Sequence, residues 1–93
     1  MTIGTLEIDL FGDQFHSLKD KRRLVSSLKE RLKNQFNVAV AESDHQDLWQ
    51  RAQLTVVSLA PGRPDLESTF RQVEDFVCRH YALRITRLRI RYY

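Results

Sequence analysis

Lysine and arginine residues recur at helical spacing in the first third of the chain. One line, at intervals i, i+4, i+7 and i+11, comprises Arg22, Ser26, Lys29 and Lys33. Lys19 and Arg23 flank this line, and residues at such spacing share one face of a helix. A row of cations on an exposed helix face suits the phosphates of a nucleic acid. The alternative interpretation is a solvated helix face that binds nothing.

Lys21 differs from these cations because its position falls within the apolar stripe of the same predicted helix. Two interpretations follow. The aliphatic stem passes the core and the ammonium reaches water at the end of the sheet. Alternatively, the ammonium is aimed at an anion near the start of the helix, where Ser17 and free backbone amides form an anion site.

A second basic group lies at the end of the chain and alternates along a predicted strand. Its members are Arg87, Arg89 and Arg91. They predict a basic ribbon, with Tyr93 available to stack on a base. Two alternatives compete with this hypothesis. Charge on an edge strand prevents aggregation, and Glu7 and Asp9 on the neighbouring strand are expected to form cross-strand ion pairs.

Acidic residues and one histidine cluster between two predicted strands. The cluster comprises Glu42, Asp44, His45 and Asp47. One imidazole and three carboxylates suit a hard or borderline metal ion, but the spacing matches no established metal motif. We expect a structural loop instead, in which the aspartates cap backbone amides. In this interpretation Trp49 covers the core and Glu42 pairs with Arg51.

The sequence contains no recognisable catalytic motif. It has no G-x-S-x-G element and no glycine-rich phosphate loop. Its three histidines, His16, His45 and His80, fall in different connections or element ends. The single cysteine, Cys78, excludes an internal disulfide and a CxxC pair, and we expect it to be a small packing residue. We therefore predict a non-enzymatic protein with no catalytic residues, no cofactor and no metal site.

Hydrophobic periodicity predicts the elements that position these residues. Strands are predicted over 3–11, 37–43, 52–60 and 83–93, and helices over 18–35 and 64–80. The order β-α-β-β-α-β is typical of the α+β ferredoxin-like fold, a split βαβ arrangement. Right-handed crossovers place both helices on one face of a four-stranded antiparallel sheet with strand order 4-1-3-2. The helical cations and the strand arginines should therefore lie on opposite sides of the sheet.

Length and composition agree with one small globular domain over residues 1–93. Hydrophobic residues make up 42% of the chain and charged residues 29%. The longest uncharged apolar run, residues 54–60, is too short to cross a bilayer. The first residues lack the pattern of a signal peptide, so we expect a cytoplasmic protein with no membrane partner. The net charge of +3 conceals two basic segments, residues 17–36 and 79–93, of +5 each.

Three stretches together resemble a known family. They are SLKDKR at 17–22, FNVAVAE at 36–42 and DLWQRA at 47–52. These stretches and their order are similar to those of the YlxP-like proteins, a bacterial family of small cytosolic proteins of unknown function. The resemblance implies a ferredoxin-like domain. It also implies a ribosome- or RNA-linked role, because some members are encoded beside genes for translation initiation, ribosome maturation and RNA modification. It supplies no catalytic residues.

Other ferredoxin-like proteins fit the residues less well. An RNA-recognition motif needs aromatic residues on its central strands, and the third predicted strand has none. An acylphosphatase-like enzyme needs a glycine-rich loop with an arginine after the first strand. Residues 12–16 provide one glycine and no arginine. A copper chaperone needs the absent CxxC.

The leading hypothesis is a non-enzymatic accessory protein that binds structured RNA or a ribosomal particle. The expected contact residues are Lys19, Lys21, Arg22, Arg23, Lys29, Lys33, Arg87, Arg89 and Arg91. The alternative is a homodimer or protein-interaction module that uses the open sheet face. Val57 and Leu59 are expected on that face beside Ala39 and Ala41, and an exposed apolar area of this kind favours burial.

Overall fold

The computed structural model describes residues 1–13 and 15–93, which form four strands and two helices. The elements are β1 (Thr2–Phe11), α1 (Leu18–Gln35), β2 (Ala39–Asp44), β3 (Arg51–Ala60), α2 (Arg63–His80) and β4 (Arg84–Tyr92). One antiparallel sheet has the order β2-β3-β1-β4. The predicted ferredoxin-like fold and strand order are therefore confirmed.

The two central strands alternate between a buried face and an open face. Leu6, Ile8 and Leu10 of β1 are buried, and so are Leu54 and Val56 of β3. Residues between them point to the other side, as the two-residue period of a strand requires. The buried face lies under the helices, and the opposite face carries no helix. We refer to it as the open face.

Each helix lays an apolar stripe on the buried face. Ser17 caps α1 by accepting a hydrogen bond at 3.1 Å from the backbone N–H of Asp20. Val25, Leu28 and Leu32 of α1 are buried. In α2 a proline occupies the first turn, as its fixed φ allows. The buried residues of α2 are Leu66, Phe70, Val73 and Val77.

The helices cover the sheet unevenly. Helix α1 packs against β2, whereas α2 packs against β1, β3 and β4. The predicted inward residues Leu88 and Ile90 do face the helix side, yet they remain 38% and 44% exposed. The edge at β4 therefore extends beyond the cover that α2 provides.

Two local predictions in the connections were wrong. Trp49 does not cover the core, because its side chain is exposed. Strand β2 begins at Ala39 rather than Asn37. The carbonyl of Asn37 instead accepts a hydrogen bond from the Ser58 hydroxyl at 2.8 Å.

Candidate nucleic-acid interface

Helix α1 presents a cationic face to solvent. Lys19, Arg22 and Arg23 are exposed and line a shallow depression together with Ser26 and Ser27. Each helical residue advances by about 1.5 Å, so the cations from position 22 to position 33 extend over roughly 16 Å. We call the set Lys19, Arg22, Arg23, Lys29 and Lys33 the α1 cationic face.

Most of this face is free of internal ion pairs. Lys33 lies 3.3 Å from Glu30, one turn earlier, and both side chains are exposed. Such an exposed pair contributes little stability and is readily exchanged. Within residues 1–13 and 15–93, the other four cations have no carboxylate within 4.0 Å. Four charges of the face are thus available to an external anion.

Lys21 does not belong to this face, because its side chain is only 1% exposed. Its Nζ lies 2.9 Å from Oε2 of Glu42 and donates a hydrogen bond to the carbonyl of His45. Oε2 of Glu42 is buried and its contact with the ammonium is an ion pair. Neither interpretation offered by the sequence describes this contact: the ammonium does not reach water, and its partner is the internal carboxylate of Glu42 rather than an anion bound at the start of α1.

The start of α1 uses its own cap. The Ser17 hydroxyl accepts from the Asp20 amide, and the Ser17 carbonyl accepts from the Lys21 amide at 3.2 Å. The Lys21 ammonium turns away to the connection between β2 and β3. The separate anion site expected there from Ser17 and Lys21 therefore lacks its lysine.

The connection between β2 and β3 is held by local hydrogen bonds. Oδ1 of Asp44 accepts from the His45 amide at 2.7 Å, and His45 has a positive φ of 63°. The Leu48 amide donates to the carbonyl of His45 at 3.0 Å. Glu42 points inward to Lys21 rather than to Arg51, which differs from the predicted pairing. In the part of the chain that the structure describes, no three His, Cys, Asp or Glu side chains converge on one point.

The arginines of β4 lie on the open face, on the opposite side of the sheet from α1. Arg89 stands opposite Glu7, with 3.8 Å between Nη1 and Oε1. Arg87 stands opposite Asp9, but Oδ1 of Asp9 accepts a hydrogen bond from Gln53 at 2.8 Å. The predicted cross-strand neutralisation therefore occurs at one of the three arginines. Arg87 and Arg91 form no ion pair with any described residue.

Sequence reasoning missed three groups of cation–aromatic contacts, and in the shortest of them Arg63 lies 4.2 Å from the ring centroid of Tyr92. On the open face, Phe11 lies under the guanidinium groups of Arg84 and Arg51, at 5.2 Å and 5.9 Å from the ring centroid. On the helix side, Arg31 lies over Tyr81 and donates to its hydroxyl at 3.2 Å. These partners are far apart in sequence, so no local spacing signals them.

The nucleophilic and imidazole side chains lie apart from one another. His80 stacks on Phe76 at 4.3 Å, whereas His45 lies in the β2–β3 connection. Cys78 is exposed rather than packed in the core, contrary to expectation. Partial desolvation and the nearby carboxylates of Glu74 and Asp75 raise the pKa of the Cys78 thiol. The thiol therefore stays protonated at neutral pH, which disfavours nucleophilic chemistry.

No helix in the described part of the chain is both long and apolar enough to span a bilayer.

The comparisons with known proteins identify the family. Residues 3–90 match the family described as "Protein of unknown function (DUF503)". The chain is also 31% identical over 75 residues to the uncharacterized protein YlxP of Bacillus subtilis (strain 168). That match covers 81% of this chain and 82% of the relative. The resemblance inferred from three short stretches is thereby confirmed, and the chain belongs to the DUF503 family, whose function is unknown.

Proposed function

We propose that the protein is a non-enzymatic accessory protein that binds structured RNA, free or within a ribosomal particle, through the α1 cationic face. The observation that carries the proposal is the set of four cations on one face of α1 that form no ion pair with any residue in 1–13 or 15–93. Phosphate groups bind such cations and release condensed counterions as they do so. The buried Lys21 is not part of the contact surface.

The geometry of the face favours a double-stranded backbone over single bases. No aromatic side chain lies among these cations on α1, so base stacking has no platform there. A straight row of about 16 Å matches several successive phosphates of a helical strand. RNA is favoured over DNA by the ribosome-linked setting that the family resemblance implies.

The test compares two variants that change the net charge equally. Arg22→Glu/Lys29→Glu alters the α1 cationic face, whereas Arg71→Glu/Arg79→Glu alters exposed arginines of α2. Binding to a fluorescent RNA hairpin is followed by anisotropy across a salt series. The α1 variant should bind the hairpin at least about tenfold more weakly. The slope of the logarithm of the binding constant against the logarithm of the salt concentration should fall in magnitude by roughly 2, since two phosphate contacts are lost.

The α2 variant should change the affinity only slightly and retain the salt slope. Equal losses in both variants would show that net charge alone drives binding and would contradict a site on α1. A DNA duplex of the same sequence is the second arm, and tighter binding to DNA would argue against RNA. Unchanged circular dichroism and Tm would establish that both variants are folded.

The open face supports a second candidate function, self-association. Ile3, Val57 and Leu59 are 43%, 38% and 52% exposed there. The four strands, of 10, 6, 10 and 9 residues, cover roughly 550 Å², so two copies would bury roughly 1,100 Å², close to the lower end for a stable interface. Arginines outnumber carboxylates on this face, so salt should strengthen this dimer while it weakens RNA binding.

Sedimentation of a matched pair of variants tests this candidate. Leu59→Lys places a charge on the open face, and Leu48→Lys places one on an equally exposed leucine of the β2–β3 connection. A dimer at high micromolar concentration should be lost only with Leu59→Lys. A monomer for the unmodified protein at that concentration would eliminate this candidate.

A further inference from the structure

Strand β4 is an edge of the sheet, and its outer backbone groups can be assigned. Tyr93 and Ile3 exchange both backbone hydrogen bonds, at 2.7 Å and 3.5 Å. Hydrogen-bonded and non-hydrogen-bonded pairs alternate along an antiparallel ladder. In the register of β4 with β1, the N–H and C=O groups of Leu88, Ile90 and Tyr92 therefore point away from β1. These three residues offer a free edge for a further strand.

The same residues carry apolar side chains that α2 leaves partly uncovered. Leu88 and Ile90 face the helix side and remain exposed. Two adjoining hollows lie between α2 and β4, and Glu74 belongs to both. One includes Leu88, and the other includes Ile90 and Tyr92. Free backbone groups thus coincide on one stretch of β4 with a groove whose lining includes these apolar side chains of the strand and also Glu67, Arg71 and Glu74 of α2.

The other side of β4 is cationic, and this limits what can pair with it. Arg87, Arg89 and Arg91 project to the open face. A second copy that pairs antiparallel about Leu88, Arg89 or Ile90 would place arginine opposite arginine. Like charges directly opposite each other destabilise a strand pair. A segment with carboxylates at the facing positions would instead be attracted, above all to Arg87 and Arg91, which have no ion pair among the described residues.

We propose that β4 binds an extended segment of a partner protein as a fifth strand, and that this segment alternates apolar and acidic residues. Its backbone pairs with the outward groups of Leu88, Ile90 and Tyr92, which is the mode called β-augmentation. Its apolar side chains enter the groove between α2 and β4. Its carboxylates lie beside the β4 arginines on the open face. This site is independent of the α1 cationic face and does not require RNA binding.

The probe is a fluorescent heptapeptide that alternates glutamate and valine, titrated into the full chain and followed by anisotropy. Ile90→Pro removes one outward N–H without removing a hydrogen bond to β1, since that group is unpaired. It should weaken binding at least about tenfold, whereas Ile90→Val should leave it nearly unchanged. The Arg87→Glu/Arg91→Glu variant should no longer bind this peptide and should instead bind a peptide that alternates lysine and valine.

Modified peptides test the backbone contact without altering the protein. In an antiparallel pair, the residue opposite Ile90 has its side chain on the helix side and its N–H directed to β4. N-methylation of the valines should therefore abolish binding, whereas N-methylation of the glutamates should preserve it. Equal effects of the two methylations would overturn strand addition.

Three further results would overturn the proposal. The first is that the alternating peptide shows no saturable binding. The second is that a peptide with its glutamates and valines in separate blocks binds as tightly as the alternating peptide. The third is that a folded Ile90→Pro variant binds the alternating peptide as tightly as the parent protein. A dimer that Ile90→Pro dissociates would identify a second copy as the occupant instead. RNA binding that depends on Arg87 and Arg91 but not on the Ile90 N–H would assign the arginines to a nucleic acid. If Arg22→Glu/Lys29→Glu left RNA binding unchanged, the proposed function would fail, but these peptide results would be unaffected.

Discussion

At the scale of single residues, the ion pair between Lys21 and Glu42 is the most consequential contact. It connects the first turns of α1 to the last residues of β2, and the His45 carbonyl supplies a further acceptor. A buried charge that loses its partner is strongly destabilising, whereas loss of both charges is often tolerated. The pair therefore fixes the position of the β2–β3 connection relative to α1.

Glu42→Leu should lower the free energy of unfolding by about 3 kcal/mol, because the ammonium would stay buried without its carboxylate. The double variant Lys21→Met/Glu42→Leu should come within about 1 kcal/mol of the parent protein. Urea unfolding followed by circular dichroism measures both values. Glu30→Leu removes the exposed partner of Lys33 and is the control, with an expected change below about 0.5 kcal/mol. Equal costs for Glu42→Leu and Glu30→Leu would contradict the buried pair.

At the scale of elements, α2 approaches β1 closely at Gly4. A Cβ atom at this position would lie 3.0 Å from the Phe70 ring and 3.1 Å from Leu66, both buried. Both side chains would have to shift by a few tenths of an ångström to admit a methyl group, and such shifts are costly in a densely packed interior. Gly4 thus sets the distance between the helix and the central strand.

Gly4→Ala should destabilise the protein by about 1–3 kcal/mol, because the added methyl group overfills this contact. Thermal unfolding measures this loss of stability as a decrease in Tm. Gly62→Ser is the matched comparison, since the nearest atom to its added Cβ is 3.6 Å away and the hydroxyl can cap α2. It should be neutral or stabilising. A Gly4→Ala protein as stable as the parent would mean that α2 can shift outward.

The helices and strands themselves were largely predictable from the sequence, but the positions of the helices over the sheet were not. The bounds of α1 and the strand order follow from local periodicity and from the handedness of crossovers. The partner of Lys21 comes from a distant connection, which no spacing rule reaches. The exposure of Ile90 depends on how far α2 extends over the sheet edge, which no local periodicity specifies. Among the described residues, four of the five cations of the α1 cationic face have no ion-pair partner, and the fifth, Lys33, pairs with Glu30. Of the β4 arginines, Arg89 pairs with Glu7.

At the scale of the whole molecule, the sheet separates two charged surfaces. The α1 cationic face lies on the helix side, and the β4 arginines lie on the open face. A nucleic acid that lies against one side of the sheet cannot contact both surfaces at once. This separation is the reason that they are assigned to different ligands.

The RNA hairpin and the alternating peptide should therefore bind simultaneously. Arg22→Glu/Lys29→Glu should change the affinity for the peptide by less than about twofold, because distant sites act independently. Titration of the peptide into the preformed protein–RNA complex, followed by the anisotropy of each label, measures this. Displacement of the RNA by the peptide would show that the two ligands share one surface.

The central position of β1 has a consequence for synthesis on the ribosome. This strand is made first, yet its neighbours β3 and β4 begin at Arg51 and Arg84. Until both have left the exit tunnel, Leu6, Ile8 and Leu10 cannot be enclosed, because loop closure over that distance must precede their pairing. The nascent chain thus keeps an apolar strand without its neighbours until both have been synthesised, and the sheet closes only when its last strand arrives.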